Sequence, residues 1–254
     1  MRRELVGIVL LAAALAGHAE TSSECSISTE KFGDRLYFSR ERGDCPVGEH
    51  CHEGSSDMVW AKWTGIKPED LQREGADIDA RRTAEAGEIR CVGKVHEGVM
   101  HGAYSFAPNA QFAKRMAAMG FDDQTPDRME GYAMLDVTTA WVQEMKDAHV
   151  SGMNSQNLMG LRALKVDAAY VRGMSAAGYT ELHADKLTGM KAVGVSPEKV
   201  QAVRAMGFNP TQEELIQMSV FKIDAPFVQR MKDRGFKNPT ISQLVQIKIF
   251  KLDE

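Results

Sequence analysis

The feature that most constrains this 254-residue chain is a repeat of about 29 residues filling its C-terminal half. An apolar or proline position recurs at Pro108, Val137, Val166, Val195 and Ile223, in steps of 29, 29, 29 and 28. The next residue is Asn109, Thr138, Asp167, Ser196 or Asp224. Each is a good helix N-cap, because its side-chain oxygen can accept from the free amides of the first turn. Three residues further stand Phe112, Trp141, Tyr170, Lys199 and Phe227, and four beyond those Met116, Met145, Met174, Val203 and Met231. Positions i and i+4 share one helix face, so these two columns predict a buried stripe. The helix then stops at Gly120, Gly178, Gly207 or Gly235, with His149 in the equivalent place of unit two. Glycine enters the left-handed conformation that ends a helix at little cost.

A second helix follows in each unit, with starts at Thr125-Pro126, Asn154, Thr211 and Thr240; Thr211 and Glu214 form a capping box. Its core columns are Met129, Leu158, Leu187, Leu215 and Leu244, then Tyr132, Leu161, Met190, Met218 and Ile247. Residues 108–254 are therefore expected to form an all-α array of five helix-turn-helix units, starting near 108, 137, 166, 195 and 223. Phe250-Lys251-Leu252-Asp253 echoes Phe221-Lys222-Ile223-Asp224, the lead into a further unit.

Between Cys25 and Ala107 the helical period is absent. Short segments rich in aromatic or β-branched residues suggest strands at 34–40, 57–63, 78–83, 87–95 and 99–106. Residues 86–106 read as a hairpin turning near Glu97-Gly98. The expected fold is thus α+β: a small antiparallel β domain over 20–107, then the helical array.

The first residues, MRRELVGIVLLAAALAGHAE, combine a basic start, an apolar run from Val6 to Gly17 and small residues before a cleavage point after Ala19. The run is shorter than the roughly 20 residues of a membrane span. The expectation is a signal peptide over 1–19, a periplasmic or extracellular location, and no span after cleavage. In such a compartment Cys25, Cys45, Cys51 and Cys91 would form two disulfides. The short loop from Pro46 to His50 favours Cys45–Cys51 with Cys25–Cys91, among three connectivities.

With 31 Lys and Arg against 35 Asp and Glu, the net charge of −4 argues against a nucleic-acid partner. The first 107 residues carry 13 basic and 18 acidic side chains and the rest 18 and 17, so neither half is a polycation.

Units such as Leu187…Val195-Ser-Pro-Glu-Lys-Val200…Met206-Gly-Phe208 resemble repeats in uncharacterised secreted bacterial proteins. They are also similar to repeats in the extracytoplasmic parts of some antirepressor metallopeptidases of the β-lactamase-regulating kind. There the repeats follow a β segment ending like Gly102-Ala-Tyr-Ser-Phe-Ala-Pro108 here. The resemblance covers roughly 78–254 and implies no ligand or activity. No peptidase motif is present, so proteolysis does not carry over.

Catalytic chemistry finds no foothold. His52-Glu53 and His96-Glu97 begin a zinc-protease motif, but the fourth position on is Ser56 or Met100. No Gly-x-Ser-x-Gly elbow accompanies Ser55 and Ser56. The chain is read as a non-enzyme without a cofactor. The sharpest alternative is a metal- or redox-responsive role for the Cys/His cluster: Cys45, His50, Cys51 and His52, with His96 and His101. His96 and His101 would oppose each other only across a four-residue loop. In the array, residues varying between units are the candidate binding surface for a protein or peptide partner: Arg128, Asn157, Arg162, Lys186, Lys191, Gln217, Lys222 and Lys248.

Overall fold

The structure is a computed structural model; it describes residues 23–29, 35–41 and 52–252, and for 52–57 the backbone alone. Among the described residues six strands precede ten α-helices: β1 Glu24–Thr29, β2 Leu36–Glu41, β3 His52–Met58, β4 Asp77–Ala84, β5 Gly87–His96 and β6 Val99–Pro108. They form one sheet in the order β3-β2-β1-β6-β5-β4. The pairs β1–β2, β1–β6 and β2–β3 are antiparallel, with Ile27 opposite Phe38 and Met100. The α+β class expected from the sequence is observed.

Alternation decides which face is buried. Cys25 and Ile27 of β1, Leu36 and Phe38 of β2, and Ile89, Cys91 and Val95 of β5 point into the core. Cys25 and Cys91 form a disulfide with their Cα atoms 6.1 Å apart. They belong to β1 and β5, which flank β6. In a flat sheet such strands would lie about 9.5 Å apart, so the sheet must coil sharply at β6. Gly102 and Gly93 permit this. A β-carbon on Gly93 would fall 1.9 Å from the His101 carbonyl oxygen, and one on Gly102 would fall 2.2 Å from that of Val92.

The expected strand at 57–63 is not formed. The strand ends at Met58, and Trp60–Lys62 make a single 3-10 turn, followed by another at Pro68–Gln72. Trp63 is buried and Thr64 bridges to Arg81, so an aromatic residue that suggested a strand serves as the core anchor of a turn. β1 had no expectation at all. Its sequence, ECSIST, alternates, but only two of its positions are strongly apolar.

The helices are α1 Ala110–Ala118, α2 Pro126–Leu135, α3 Thr139–Asp147, α4 Ser155–Ala163, α5 Ala168–Ala176, α6 Ala184–Ala192, α7 Pro197–Ala205, α8 Gln212–Val220, α9 Ala225–Asp233 and α10 Ile241–Ile249. All nine N-caps anticipated for them accept from the first helical turn: Asn109, Thr125, Thr138, Asn154, Asp167, Ser196, Thr211, Asp224 and Thr240. The tenth is His183, whose Nδ1 accepts from the Asp185 amide at 3.4 Å. Imidazole is a rare cap, which is why no start was legible there.

All ten helices stop in the same way. Gly120, His149, Gly178, Gly207 and Gly235 take positive φ after the first helix of each unit, and Asp136, Lys165, Gly194, Lys222 and Lys251 after the second. In each case the next residue donates its amide back into the last turn, as Val150 does to Met145 (3.1 Å) and Val166 to Leu161 (2.9 Å). After the second helix that residue is Val137, Val166, Val195 or Ile223, buried, and directly before the next N-cap. The apolar column that first revealed the repeat thus closes one unit and opens the next.

Second helices stack in one row, with α4 against α2 and α6, and α8 against α6 and α10; first helices stack in another, α1 against α3, α3 against α5 and α5 against α7. The core columns named from the sequence are buried, Lys199 excepted. In the second row Gly131, Gly160 and Gly189 let neighbours approach: β-carbons there would meet Met159 Sδ at 2.7 Å, Thr188 Cγ2 at 3.5 Å and Ile216 Cδ1 at 3.2 Å.

The chain divides into two compact units. One comprises residues up to Ala61 with Gly65–Ala80 and Cys91–Ser105; the other comprises Lys62–Thr64, Arg81–Arg90 and Phe106–Glu254. The helical unit thus includes Arg81–Arg90, not only residues from 108 onward. No helix among the described residues is long and apolar enough to cross a membrane.

Candidate functional site

The array is the largest repeated surface of the chain, and what it offers a partner depends on which polar side chains its own packing consumes. The aromatic column is consumed first. Trp141 Nε1 donates to the Val166 carbonyl and the Tyr170 hydroxyl to that of Val195, both at 3.0 Å, tying each first helix to the start of the next unit. Burial pushes the Tyr170 phenol up to about 12. Tyr132 and Arg128 both donate to the Ser155 carbonyl at 2.9 Å, again one unit ahead.

A basic column stacks on these rings. The Arg162 guanidinium lies 5.5 Å from the Trp141 centroid, Lys191 4.3 Å from Tyr170 and Lys248 4.2 Å from Phe227. Arg162 Nε also donates to the carbonyls of Leu135 and Asp136. Unit four breaks the pattern at both places: Lys199 replaces the aromatic and Ser219 the cation.

Of the residues expected to form the binding surface, most are therefore engaged within the chain. Arg162, Lys191 and Lys248 cover aromatic rings, and Arg128 pairs with Asp123 at 2.8 Å. Asn157 closes the capping box of α4, accepting from the Asn154 amide at 2.9 Å and donating to the Gly152 carbonyl. Lys186 pairs with Glu213 of the next unit. Gln217 and Lys222 are exposed. Variation between units reflected packing alternatives as much as surface, a distinction spacing alone does not make.

Sequence reading also passed over Glu85 and Arg82, which lie outside the repeat. Glu85 accepts from the Thr139 amide (3.0 Å), the Thr139 hydroxyl (2.7 Å) and Arg115 Nη2 (2.8 Å). Arg82, buried, donates to the carbonyls of Ala133 (3.2 Å) and Met134 (3.0 Å) at the end of α2. Residues 81–90 thus satisfy free backbone groups of the first two units. No repeat-based signal points to them.

Two clefts of about 540 Å³ open on the array. One, between α3 and α5, is lined by Glu144, Asp147, His149, Arg172 and Ser175. The other runs between the α7–α8 and α9–α10 connections, past Phe208, Asn209, Lys232 and Pro239.

In the sheet, His96 Nδ1 lies 2.8 Å from Glu74 Oε1, and Glu74 also accepts from the Glu97 amide. The bond to His96 chiefly holds the Glu74 carboxyl below its ordinary range. The turn is the two-residue one, with Glu97 and Gly98 both at positive φ, so His96 and His101 do not oppose each other. His101 instead borders a small depression of about 170 Å³ with Glu24, Ser39 and Glu41. Cys45, His50 and Cys51 lie outside the described residues, as does the side chain of His52. Among the described residues no three His, Cys, Asp or Glu side chains converge as metal ligands. No known protein family matches the chain, and no curated protein or solved structure matches it.

Proposed function

We propose that this chain is an exported, non-catalytic module that binds a protein or peptide partner through its helical array. The observation that carries the reading is the division of labour within each unit. A constant set of aromatic, methionine and leucine positions is spent on stacking, while outward positions change from unit to unit. At one such position of the first helix stand Lys114, Gln143, Arg172, Gln201 and Gln229, all exposed. Stacked units place such residues in a row, a surface long enough to read an extended or helical segment. Support for export comes from the basic and apolar N-terminal sequence and from the Cys25–Cys91 disulfide, which persists best in an oxidising compartment.

Photoreactive side chains installed at Gln143, Arg172 and Gln201, with His101 of the sheet as a comparison, test this in the exported fraction. Defined cross-linked species are expected from the array positions and not from His101. An array that yields none, or a partner captured only through His101, overturns the proposal.

A further inference from the structure

A column of cations lies eight residues past the first-helix caps: Lys146, Arg204 and Lys232, counted from Thr138, Ser196 and Asp224. Each sits at the end of the preceding unit's first helix. Lys146 Nζ donates to the Met119 carbonyl, just past α1, at 3.0 Å. Arg204 lies over the Tyr179 ring, 5.8 Å from its centroid, with Nη2 3.3 Å from where a β-carbon on Gly178 would stand. Lys232 borders the cleft that Gly207 and Phe208 also line. Of the units that follow another, only the third has a short side chain in this column, Ser175. The residue after the preceding stop is also reduced there, Val150 standing where the other units have Phe or Tyr. At that junction α3 and α5 leave a cleft of about 540 Å³, lined by Ser175 and by Ala148, the equivalent of Met119.

The same junction gains two carboxylates. Glu144 and Asp147 of α3 both line the cleft. The helices that face an internal cation have no acid at these positions: Arg115 and Ala118, Gly173 and Ala176, and Ala202 and Ala205. Carboxylates in the last turn of a helix oppose its macrodipole, so they do not serve α3 itself. Asp147 accepts from Gln143 Nε2 at 2.7 Å, whereas Glu144 has no side-chain partner among the described residues. Arg172 lines the opposite wall, and among the described residues it makes no ion pair. Acid therefore stands where the chain's own cation is missing.

We infer that the cleft between α3 and α5 receives an arginine side chain of a partner protein. Its guanidinium takes the place that Arg204 holds one junction further on, between Glu144 and Asp147. There it donates to the Ala148 carbonyl, as Lys146 does to that of Met119. Charge complementarity selects a cation, and the planar fork of arginine reaches several acceptors at once. A bare metal ion fits less well, because no three His, Cys, Asp or Glu side chains converge among the described residues. The inference rests on the binding role proposed above and names its site and the chemistry it reads.

The test is a titration of the isotope-labelled whole chain with a capped peptide that carries one arginine between serines, read from amide chemical shifts. Saturable shifts are expected at Asp147, His149 and Ser175. The same peptide with citrulline, the uncharged analogue of arginine, should not bind. E144Q/D147N should weaken binding by roughly tenfold, about 1.4 kcal/mol, with unchanged circular dichroism. S175R supplies the cation of the neighbouring junctions and should abolish binding, while R172Q, which removes a like charge, should not weaken it. The inference is overturned if the shifts do not saturate, if the citrulline peptide binds as well, or if S175R and E144Q/D147N bind like the parent. It is equally overturned if spermidine or calcium ions produce the same shifts at lower concentration. Silence at these amides, with a partner still cross-linked through Gln201, overturns this site and leaves the binding role, so the two readings fail separately.

Discussion

His149 is the one first-helix stop that is not glycine. Its φ of 59° places a β-carbon where Gly120, Gly207 and Gly235 have none. His149→Gly is therefore expected to stabilise the protein by about 0.5–1 kcal/mol, relief of strain outweighing the extra freedom of glycine in the unfolded chain. A denaturation midpoint that stays put or falls would show that the imidazole's position at the α3–α5 cleft is worth more than the strain it causes. Lys199 is a second departure. It stands where Trp141 and Tyr170 reach the carbonyl one unit ahead, and the equivalent acceptor for it is Ile223. Lys199→Tyr should supply the missing bond and raise stability by about 1 kcal/mol. A lower midpoint would mean that the groove beside α7 has closed around the smaller core of that unit.

At the scale of elements, Glu85 decides how the first two units respond to acid. Partial burial pushes its carboxyl up, but the bonds from Thr139 and Arg115 outweigh this and hold it below its ordinary value. A group lowered in the folded state contributes stability above its unfolded pKa, about 4.3, and loses it as pH falls through the folded value. Glu85→Gln should accordingly melt earlier than the parent at pH 7, with the gap closing below about pH 4; equal melting at pH 7 would show that Thr139 finds another partner. This element also marks where sequence reading ran out. The helices were legible because caps, stops and core columns recur, so five copies average out one anomaly such as Lys199. A hairpin that occurs once offers no such averaging, and neither Glu85 nor Arg82 carries a sign of what it will meet. The strand at 24–29 escaped for a related reason, since its burial is set by β2 and β6 rather than by its own composition. Phe250 and Leu252 echo Phe221 and Ile223 in sequence but meet a different context. Leu252 makes the stop bond to Ile247 at 2.9 Å, as its equivalents do, but both side chains stay exposed.

For the molecule as a whole, the Cys25–Cys91 bond encloses 66 residues of sequence separation. By chain entropy such a closure contributes about 4 kcal/mol. C25S/C91S should lower the denaturant midpoint of the sheet, followed by hydrogen exchange of the amides of β1, β2 and β6, with native helical circular dichroism retained at low denaturant; an unmoved midpoint would show that the coiled sheet needs no tether. The helix stops have a different consequence. Because the residue that completes each stop after a second helix is also the residue that precedes the next cap, every unit ends in the state in which its successor must begin. A tandem duplication or deletion of one whole repeat, 29 residues in most units and 28 in the fourth, rejoins matching halves and restores that junction. Changes of any other length leave a cap without its lead-in. In evolution, the array can change length cheaply only by whole repeats.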